Sequence, residues 1–158
     1  MRKIIYWVHT SIDGHIDGPN GEFDWPVMGE ELSAYSETLS DRCDTFLYGG
    51  GVWKGMVAFW PNAESMSDHP HVLKFAPLWR DTPKIVVSRT LKETDWATQV
   101  IGDDLAEQVT ELKRQDGKDL LLTGGRPLFV PRDERLGLGL AESRTCDSQV
   151  VVMRYDRV

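Results

Sequence analysis

The chain has 158 residues, of which 41% are hydrophobic and 27% charged, and its formal net charge at pH 7 is −7. These values are typical of one globular domain with a substantial core, and the acidic balance argues against a nucleic-acid-binding protein, which needs a basic face. No stretch approaches the roughly 18 consecutive apolar residues of a membrane span, and no apolar signal-peptide segment opens the chain. We therefore expect a cytoplasmic protein with reduced Cys43 and Cys146.

The hydrophobic pattern predicts alternating strands and helices in the first 123 residues. Residues 3–10 are nearly all apolar, which is typical of a central strand covered on both faces, and the glycine-rich residues 12–21 predict a loop. Apolar side chains at three- and four-residue spacing predict a helix over residues 29–40. The elements predicted after it are a strand (44–48), a short helix (52–59), two strands (84–88 and 98–101), a helix (103–115) and a strand (119–123).

Two further stretches complete the predicted fold. Residues 62–83 are polar and contain three prolines, which predicts a long surface excursion. Residues 136–145 and 149–155 predict an antiparallel hairpin. Alternating strands and helices followed by a terminal hairpin predict the α/β class with a mixed sheet and one domain over residues 1–158.

A glycine pair ends the last predicted strand before the hairpin. Gly124 and Gly125 follow a buried strand, where such a pair normally lets the backbone approach a phosphate at the start of a helix. Here Pro127 comes two residues later and no helix is predicted. The pair is therefore either half of a nucleotide-binding element or a simple strand-end turn.

Two other segments that follow strands are candidates for binding an anion. Gly49, Gly50 and Gly51 form either a backbone nest for an anion or a flexible turn. Ser88 ends the third predicted strand and Arg89 follows it. An arginine stays charged and forks onto phosphate oxygens, although a solvated strand end is the alternative interpretation.

Two carboxylates and an aromatic residue near the first strand are candidates for contact with a substrate. In a hydride-transfer pocket, a partly buried Asp13 or Asp24 could hold a heterocycle or relay a proton, because burial raises a carboxyl pKa. Trp25 could stack on a flat ring. The alternatives are turn chemistry for Asp13, which precedes a glycine, and a core position for Trp25.

The histidines give weaker signals. Asp68, His69 and His71 form a cluster that could ligate a metal, but no further cysteine or histidine lies at ligand spacing, so a solvated loop is favoured and no metal is predicted. His9 lies on the first strand, where a core or pocket histidine is more common than a catalyst.

Several short motifs occur in one order along nearly the whole chain, and together they resemble one family. They resemble the dihydrofolate reductase-like proteins of the riboflavin biosynthesis reductase type, the C-terminal domain of bifunctional deaminase-reductases. The motifs are Ser-Ile-Asp-Gly-His-Ile (11–16), Phe-Asp-Trp (23–25), Gly-Gly-Gly-Val-Trp-Lys-Gly-Met (49–56), Pro-Lys-Ile-Val-Val-Ser-Arg-Thr (83–90) and the glycine pair before Arg-Pro-Leu-Phe (124–129).

The resemblance implies a fold, a cofactor and a set of site residues. The fold would be a mixed, mainly parallel sheet flanked by helices, with a C-terminal antiparallel hairpin. The activity would be NADPH-dependent hydride transfer to a small heterocycle of the riboflavin-pathway aminopyrimidine or pteridine type, in a homodimer. The implied cofactor-binding residues are Gly49, Gly50, Gly51, Ser88, Arg89, Thr90, Gly124 and Gly125, the implied substrate-binding residues are Ser11 and Trp25, and the implied catalytic residues are Asp13 and Asp24.

The sequence departs from the family pattern in two places. Relatives carry a helix and a strand between the glycine pair and Pro-Leu-Phe, whereas Gly125 here precedes Arg126 directly, so about two dozen residues are missing. The usual arginine and threonine of the first glycine motif are Gly50 and Val52, which cannot bind phosphate oxygens through their side chains. These departures favour an alternative, a non-enzymatic ligand-binding or dimerising descendant whose exposed sheet edge pairs with a second copy.

Overall fold

The computed structural model describes residues 1–23, 26–124 and 136–158. Its described strands form a five-stranded parallel sheet in the order β1-β5-β2-β3-β4 and a separate antiparallel pair, β6-β7. The strands are β1 (Ile4–Trp7), β2 (Cys43–Gly49), β3 (Lys84–Val87), β4 (Gln99–Ile101), β5 (Asp119–Thr123), β6 (Leu138–Thr145) and β7 (Val151–Arg157). The helices are α1 (Glu30–Asp41), α2 (Gly50–Phe59), α3 (Ala63–Met66), α4 (Pro70–Asp81) and α5 (Leu105–Arg114), with a 3-10 turn at Trp60–Asn62. The predicted α/β class with a terminal hairpin is confirmed.

Helices cover both faces of the sheet, and successive residues of a strand point to opposite faces. On one face, Phe46 and Tyr48 of β2 pack with Trp53 of α2 and Trp79 of α4. On the other face, Leu47 belongs to a second cluster that receives the α5 helix. The other buried members of that second cluster are Ile85, Ile101, Leu112 and Leu120.

The surface excursion predicted over residues 62–83 is wrong, because most of this stretch is helical. In α4, Ala76 and Trp79 are completely buried, and the indole Nε1 of Trp79 donates a hydrogen bond to the Tyr48 hydroxyl at 3.1 Å. Pro70 occupies the first turn of α4, where a missing N–H costs nothing. Pro77 lies inside α4 on its exposed side, so its presence did not exclude a helix.

The central position predicted for the first strand is also wrong. β1 is the edge strand of the described sheet and pairs only with β5 there. Its two faces are nevertheless covered, because Ile5 and Trp7 pack against the first cluster and Ile4 against the second. A run of apolar residues indicates that both faces of a strand are covered. It does not indicate how many neighbouring strands form hydrogen bonds with that strand.

The C-terminal hairpin packs against α1. Val152 and Cys146 form a third buried cluster with Leu32, and both cysteines of the chain are buried and unpaired, as expected. The Asp147 carboxylate at the hairpin turn accepts the backbone N–H of Glu30 at 2.9 Å and so caps the start of α1. Within the described ranges, no helix is long and apolar enough to cross a membrane, and no group of side chains suits a metal ion.

Candidate functional site

Four of the predicted site segments lie at one edge of the parallel sheet. β1, β2, β3 and β5 all run in the same direction, so the residues that follow them emerge together, and we call this the carboxyl edge. The segments are Ser11 to Asp13 after β1, Gly49 to Gly51 at the junction of β2 and α2, Ser88 to Thr90 after β3 and Gly124 after β5.

Gly124, at the end of β5, packs against the first turn of α2. Its φ of +82° is a left-handed conformation that glycine adopts without strain, and a Cβ added there would overlap the side chain of Val52. Glycine at this position therefore lets two backbone segments approach each other beside the carboxyl edge. Gly125, the second glycine of the predicted pair, lies outside the described residues.

Gly50, at the start of α2, packs against the end of β3. A Cβ at Gly50 would lie 3.1 Å from Ser88 Oγ and 3.2 Å from Ser88 Cβ, so only glycine keeps this spacing without displacing its neighbour. Among the described residues, no side chain caps α2 with a hydrogen bond at Gly49, and the first-turn N–H groups of a helix attract anions. Sequence reasoning missed Gly102, whose Cβ would overlap the Ser88 carbonyl; its only signal is a glycine directly after strand β4.

The three residues after β3 divide into two roles. Ser88 Oγ accepts the backbone N–H of Thr90 at 3.3 Å and of Leu91 at 3.0 Å, and it lies 3.3 Å from Thr90 Oγ1. Ser88 and Thr90 therefore shape the loop. Arg89 is exposed, and the described residues offer it neither a hydrogen bond nor an ion pair, so its guanidinium is available for a ligand.

The first-strand loop forms its own hydrogen-bonded turn. Ser11 Oγ donates to the Asp13 carboxylate and accepts the His15 backbone N–H at 3.0 Å, and His15 Nδ1 lies 3.4 Å from the same carboxylate. The predicted burial of Asp13 is wrong: its side chain is 70% exposed, and the hydrogen bond from Ser11 lowers its pKa. Asp24 and Trp25 lie outside the described residues, so their predicted roles stay predictions.

Two histidines that the sequence did not assign to the site also lie at this edge. His9 continues the β1 face that carries Trp7, and its ring meets the Trp7 ring edge-on at 5.5 Å and the Phe23 ring at 6.3 Å. His71 lies in the first turn of α4, where its Nδ1 is 2.9 Å from the Ser33 hydroxyl of α1. The two helices each precede a parallel strand, so their N-terminal turns face the carboxyl edge.

Burial lowers the pKa of both histidines, and the neighbouring His69 lowers the pKa of His71 further. His71 was missed because the prolines around it predicted a loop. A helical signal was present nevertheless, since Val72, Phe75, Ala76 and Trp79 recur at three- and four-residue spacing.

The lowered histidine pKa values give an expected pH dependence of stability. Below about pH 6.5 the unfolded chain binds more protons than the folded chain, so the free energy of unfolding should fall as the pH decreases through that value. Urea denaturation between about pH 7.5 and about pH 5.5 measures this slope, and His71→Gln should reduce it. Carboxylates such as Asp13 and Glu64 have lowered pKa values and lose their contribution only at lower pH. Identical slopes for the two proteins would contradict the expectation.

Comparison with known proteins was made on both sequence and structure. Residues 2–130 match the RibD C-terminal domain family. The chain is 29% identical over 183 aligned positions to YyaP, an uncharacterized protein of Bacillus subtilis (strain 168), with 98% of this chain and 95% of YyaP covered. Because 183 exceeds the 158 residues of this chain, at least about two dozen aligned positions have no residue here.

Two crystal structures share the fold at low sequence identity. A candidate riboflavin biosynthesis protein of Shewanella sp. PV-4 superposes with a TM-score of 0.73 at 17% identity, covering 100% of this chain and 99% of that one. The diaminohydroxyphosphoribosylaminopyrimidine deaminase/5-amino-6-(5-phosphoribosylamino)uracil reductase of Thermotoga maritima gives a TM-score of 0.64 at 10% identity, covering 99% of this chain and 57% of that one. With the match over residues 2–130, these findings show that the chain belongs to the RibD C-terminal domain family and has its dihydrofolate reductase-like fold.

Proposed function

We propose that this chain is an NADPH-dependent reductase that transfers hydride to a small flat heterocycle of the riboflavin-pathway aminopyrimidine or pteridine type. The observation that carries the proposal is the close approach of three backbone segments at the carboxyl edge: the ends of β3 and β5 and the start of α2. There Gly124 packs against Val52, and Gly50 packs against Ser88. Membership of the RibD C-terminal domain family supports it.

The residues present fit a dinucleotide in two respects. The first turn of α2 has no side-chain cap among the described residues, so its N–H groups are available to a pyrophosphate. Gly124 lets the end of β5 lie close to that turn. The exposed Arg89 offers a fork of donors to a phosphate on the adenosine. When bound, the reduced nicotinamide supplies the hydride, while the chain orients the two reactants and excludes water.

Arg89→Ala should weaken NADPH binding by about 10- to 100-fold, because a charge-assisted contact to phosphate contributes about 1.5–3 kcal/mol. NADH lacks the additional adenosine phosphate, so its affinity should change little. Lys92→Ala, which removes an exposed positive charge three residues along the chain, is the matched control. Tryptophan fluorescence titrations measure the NADPH and NADH affinities of the wild type and the two variants. An equal loss of affinity for both cofactors in Arg89→Ala would argue against the assigned role of Arg89.

A non-enzymatic descendant is the second candidate, and Val52 favours it. The Val52 side chain lies against Gly124 and carries no hydroxyl for a phosphate, and Gly50 has no side chain at all. Such a protein would keep the sheet and bind a ligand or a second copy without turning over NADPH. The homodimer and the missing helix and strand stay predictions under either candidate.

The rate of NADPH oxidation separates the two candidates. It is measured by absorbance in the presence of each member of a panel of pteridines and riboflavin-pathway aminopyrimidines. Circular dichroism on the same sample establishes that the protein is folded. Substrate-dependent oxidation supports the reductase. A folded protein that oxidises NADPH with no member of the panel would favour the non-enzymatic descendant.

A further inference from the structure

The loop between β3 and β4 is attached to the first turn of α2 at two places. At the start of the loop, Ser88 lies against Gly50, where an added Cβ would come within 3.2 Å of Ser88 Cβ. Further along the loop, Thr94 Oγ1 accepts a hydrogen bond from the indole Nε1 of Trp53 at 2.9 Å. Gly50 and Trp53 both belong to the first turn of α2, so the two contacts join the loop to one helical turn.

The Trp53 indole is a rigid anchor for the second contact. Trp53 is 1% exposed, its ring stacks on the Trp79 ring at 5.9 Å, and it lies against the Tyr48 ring at 5.6 Å. These packed rings fix the direction of the indole N–H, which reaches the Thr94 hydroxyl. Because a buried N–H without a partner costs free energy, this hydrogen bond holds Thr94 against the first cluster.

Leu91 fixes the loop between these two contacts. It packs against the first cluster, and its backbone N–H donates a hydrogen bond to Ser88 Oγ at 3.0 Å. The exposed Arg89 lies between Ser88 and Leu91 in the chain. The backbone of Arg89 therefore has a set position beside the α2 turn, and only its side chain remains to be ordered when a phosphate binds.

In the proposed function, the same α2 turn binds the pyrophosphate and Arg89 contacts the phosphate on the adenosine. Both groups belong to one cofactor, so the distance between the turn and Arg89 must match the distance between the two phosphates. A protein that holds this distance before the cofactor arrives loses less conformational freedom on binding and binds more tightly. The hydrogen bond between Trp53 and Thr94 contributes to holding it.

We propose that Trp53 and Thr94 are positioning residues for Arg89, and that their hydrogen bond gives the chain a preference for NADPH over NADH by holding the loop against α2. The inference rests on the proposed function and deepens it, because it assigns the cofactor preference to a pair of residues beyond Arg89 itself.

The test measures the NADPH and NADH affinities of the full chain by isothermal titration calorimetry, since a change beside Trp53 would itself alter the tryptophan fluorescence. Thr94→Val keeps the shape of the side chain and removes the acceptor. It should weaken NADPH binding by about 3- to 10-fold and NADH binding by less than about twofold. Thr94→Ser keeps the hydroxyl and should bind both cofactors as the wild type does. Thr110→Val, which removes an exposed hydroxyl from α5, is the matched control.

A double-mutant cycle with Arg89→Ala separates positioning from a general weakening of the fold. If Thr94 acts through Arg89, Thr94→Val should cause less than about a twofold further loss of NADPH affinity in the Arg89→Ala background. A second measurement needs no cofactor. Hydrogen exchange of the backbone amides of residues 89–94 should be faster in Thr94→Val than in the wild type, and unchanged in Thr94→Ser.

The outcomes distinguish the inference from the proposed function. If the wild type binds NADPH, the inference is overturned by any of four results: no preference over NADH, an unchanged preference in Thr94→Val, additive losses in the cycle, or unchanged loop exchange. The proposed function would survive each of them. A folded wild type that binds neither cofactor would overturn both. Should Thr94→Val not fold, Thr94→Ala replaces it, because the space left by the smaller side chain admits a water to the Trp53 N–H.

Discussion

Trp79→Ala is expected to lower the free energy of unfolding by about 3–5 kcal/mol, the largest effect that we expect from one substitution. The side chain is completely buried, stacks on Trp53 at 5.9 Å and lies under the Lys84 ammonium at 4.5 Å. Its removal also leaves the buried Tyr48 hydroxyl without the indole Nε1, the partner that it has in the folded chain.

Urea denaturation of Trp79→Ala and of a control on the same helix measures this effect. The control is Leu73→Ala, which truncates a side chain that is 46% exposed and should cost less than about 1 kcal/mol. A surface excursion over residues 62–83 would make the two substitutions similarly mild. Equal, small losses would therefore contradict the helical assignment of α4 and the first core cluster.

Gly124→Ala is expected to cost about 2–5 kcal/mol and to weaken NADPH binding. A non-glycine residue at this φ of +82° costs about 1–2 kcal/mol, and the overlap of its Cβ with Val52 adds about 1–3 kcal/mol of overpacking. Because the displaced segments are the end of β5 and the first turn of α2, the change alters the place where we propose that the pyrophosphate binds.

Two further variants separate the sources of this loss. Val52→Ala in the Gly124→Ala background should recover the part due to overlap and leave the part due to backbone strain. Gly51→Ala adds a methyl group to α2 in open space, and it should be neutral or stabilising by up to about 1 kcal/mol. A Gly124→Ala protein as stable as the wild type, or no recovery from Val52→Ala, would contradict the described packing.

Much of the fold was predictable because local pattern and burial agree. β5 was predicted at its observed bounds, and β2 and α5 within two residues, since their apolar residues recur with the period of the element that buries them. α4 was not predicted, because Pro70 and Pro77 are loop signals whose meaning depends on whether they lie at a helix start or on an exposed helix face. The position of β1 at the sheet edge depends on pairing across more than 100 residues, which its own sequence does not encode.

The predictable part of the candidate site is the set of residues that the sheet topology alone brings together. Gly50, Ser88 and Gly124 follow parallel strands and therefore meet at one edge. The local hydrogen bonds were not predictable: Ser88 turned out to shape its own loop, and Asp13 to be held in an exposed turn. Contacts such as the Asp147 cap on α1 join residues 117 positions apart and required the tertiary structure.

The proposed cofactor role is tested most directly by titrating the purified full chain with NADPH while following the fluorescence of its six tryptophans. Mass spectrometry first verifies the 158-residue mass, and circular dichroism verifies that the chain is folded. We expect saturable quenching at micromolar NADPH, because Trp53 lies in α2 directly after the turn that would hold the pyrophosphate. Absence of saturable binding to a folded chain of the correct mass would mean that the segments at the carboxyl edge no longer form a cofactor site.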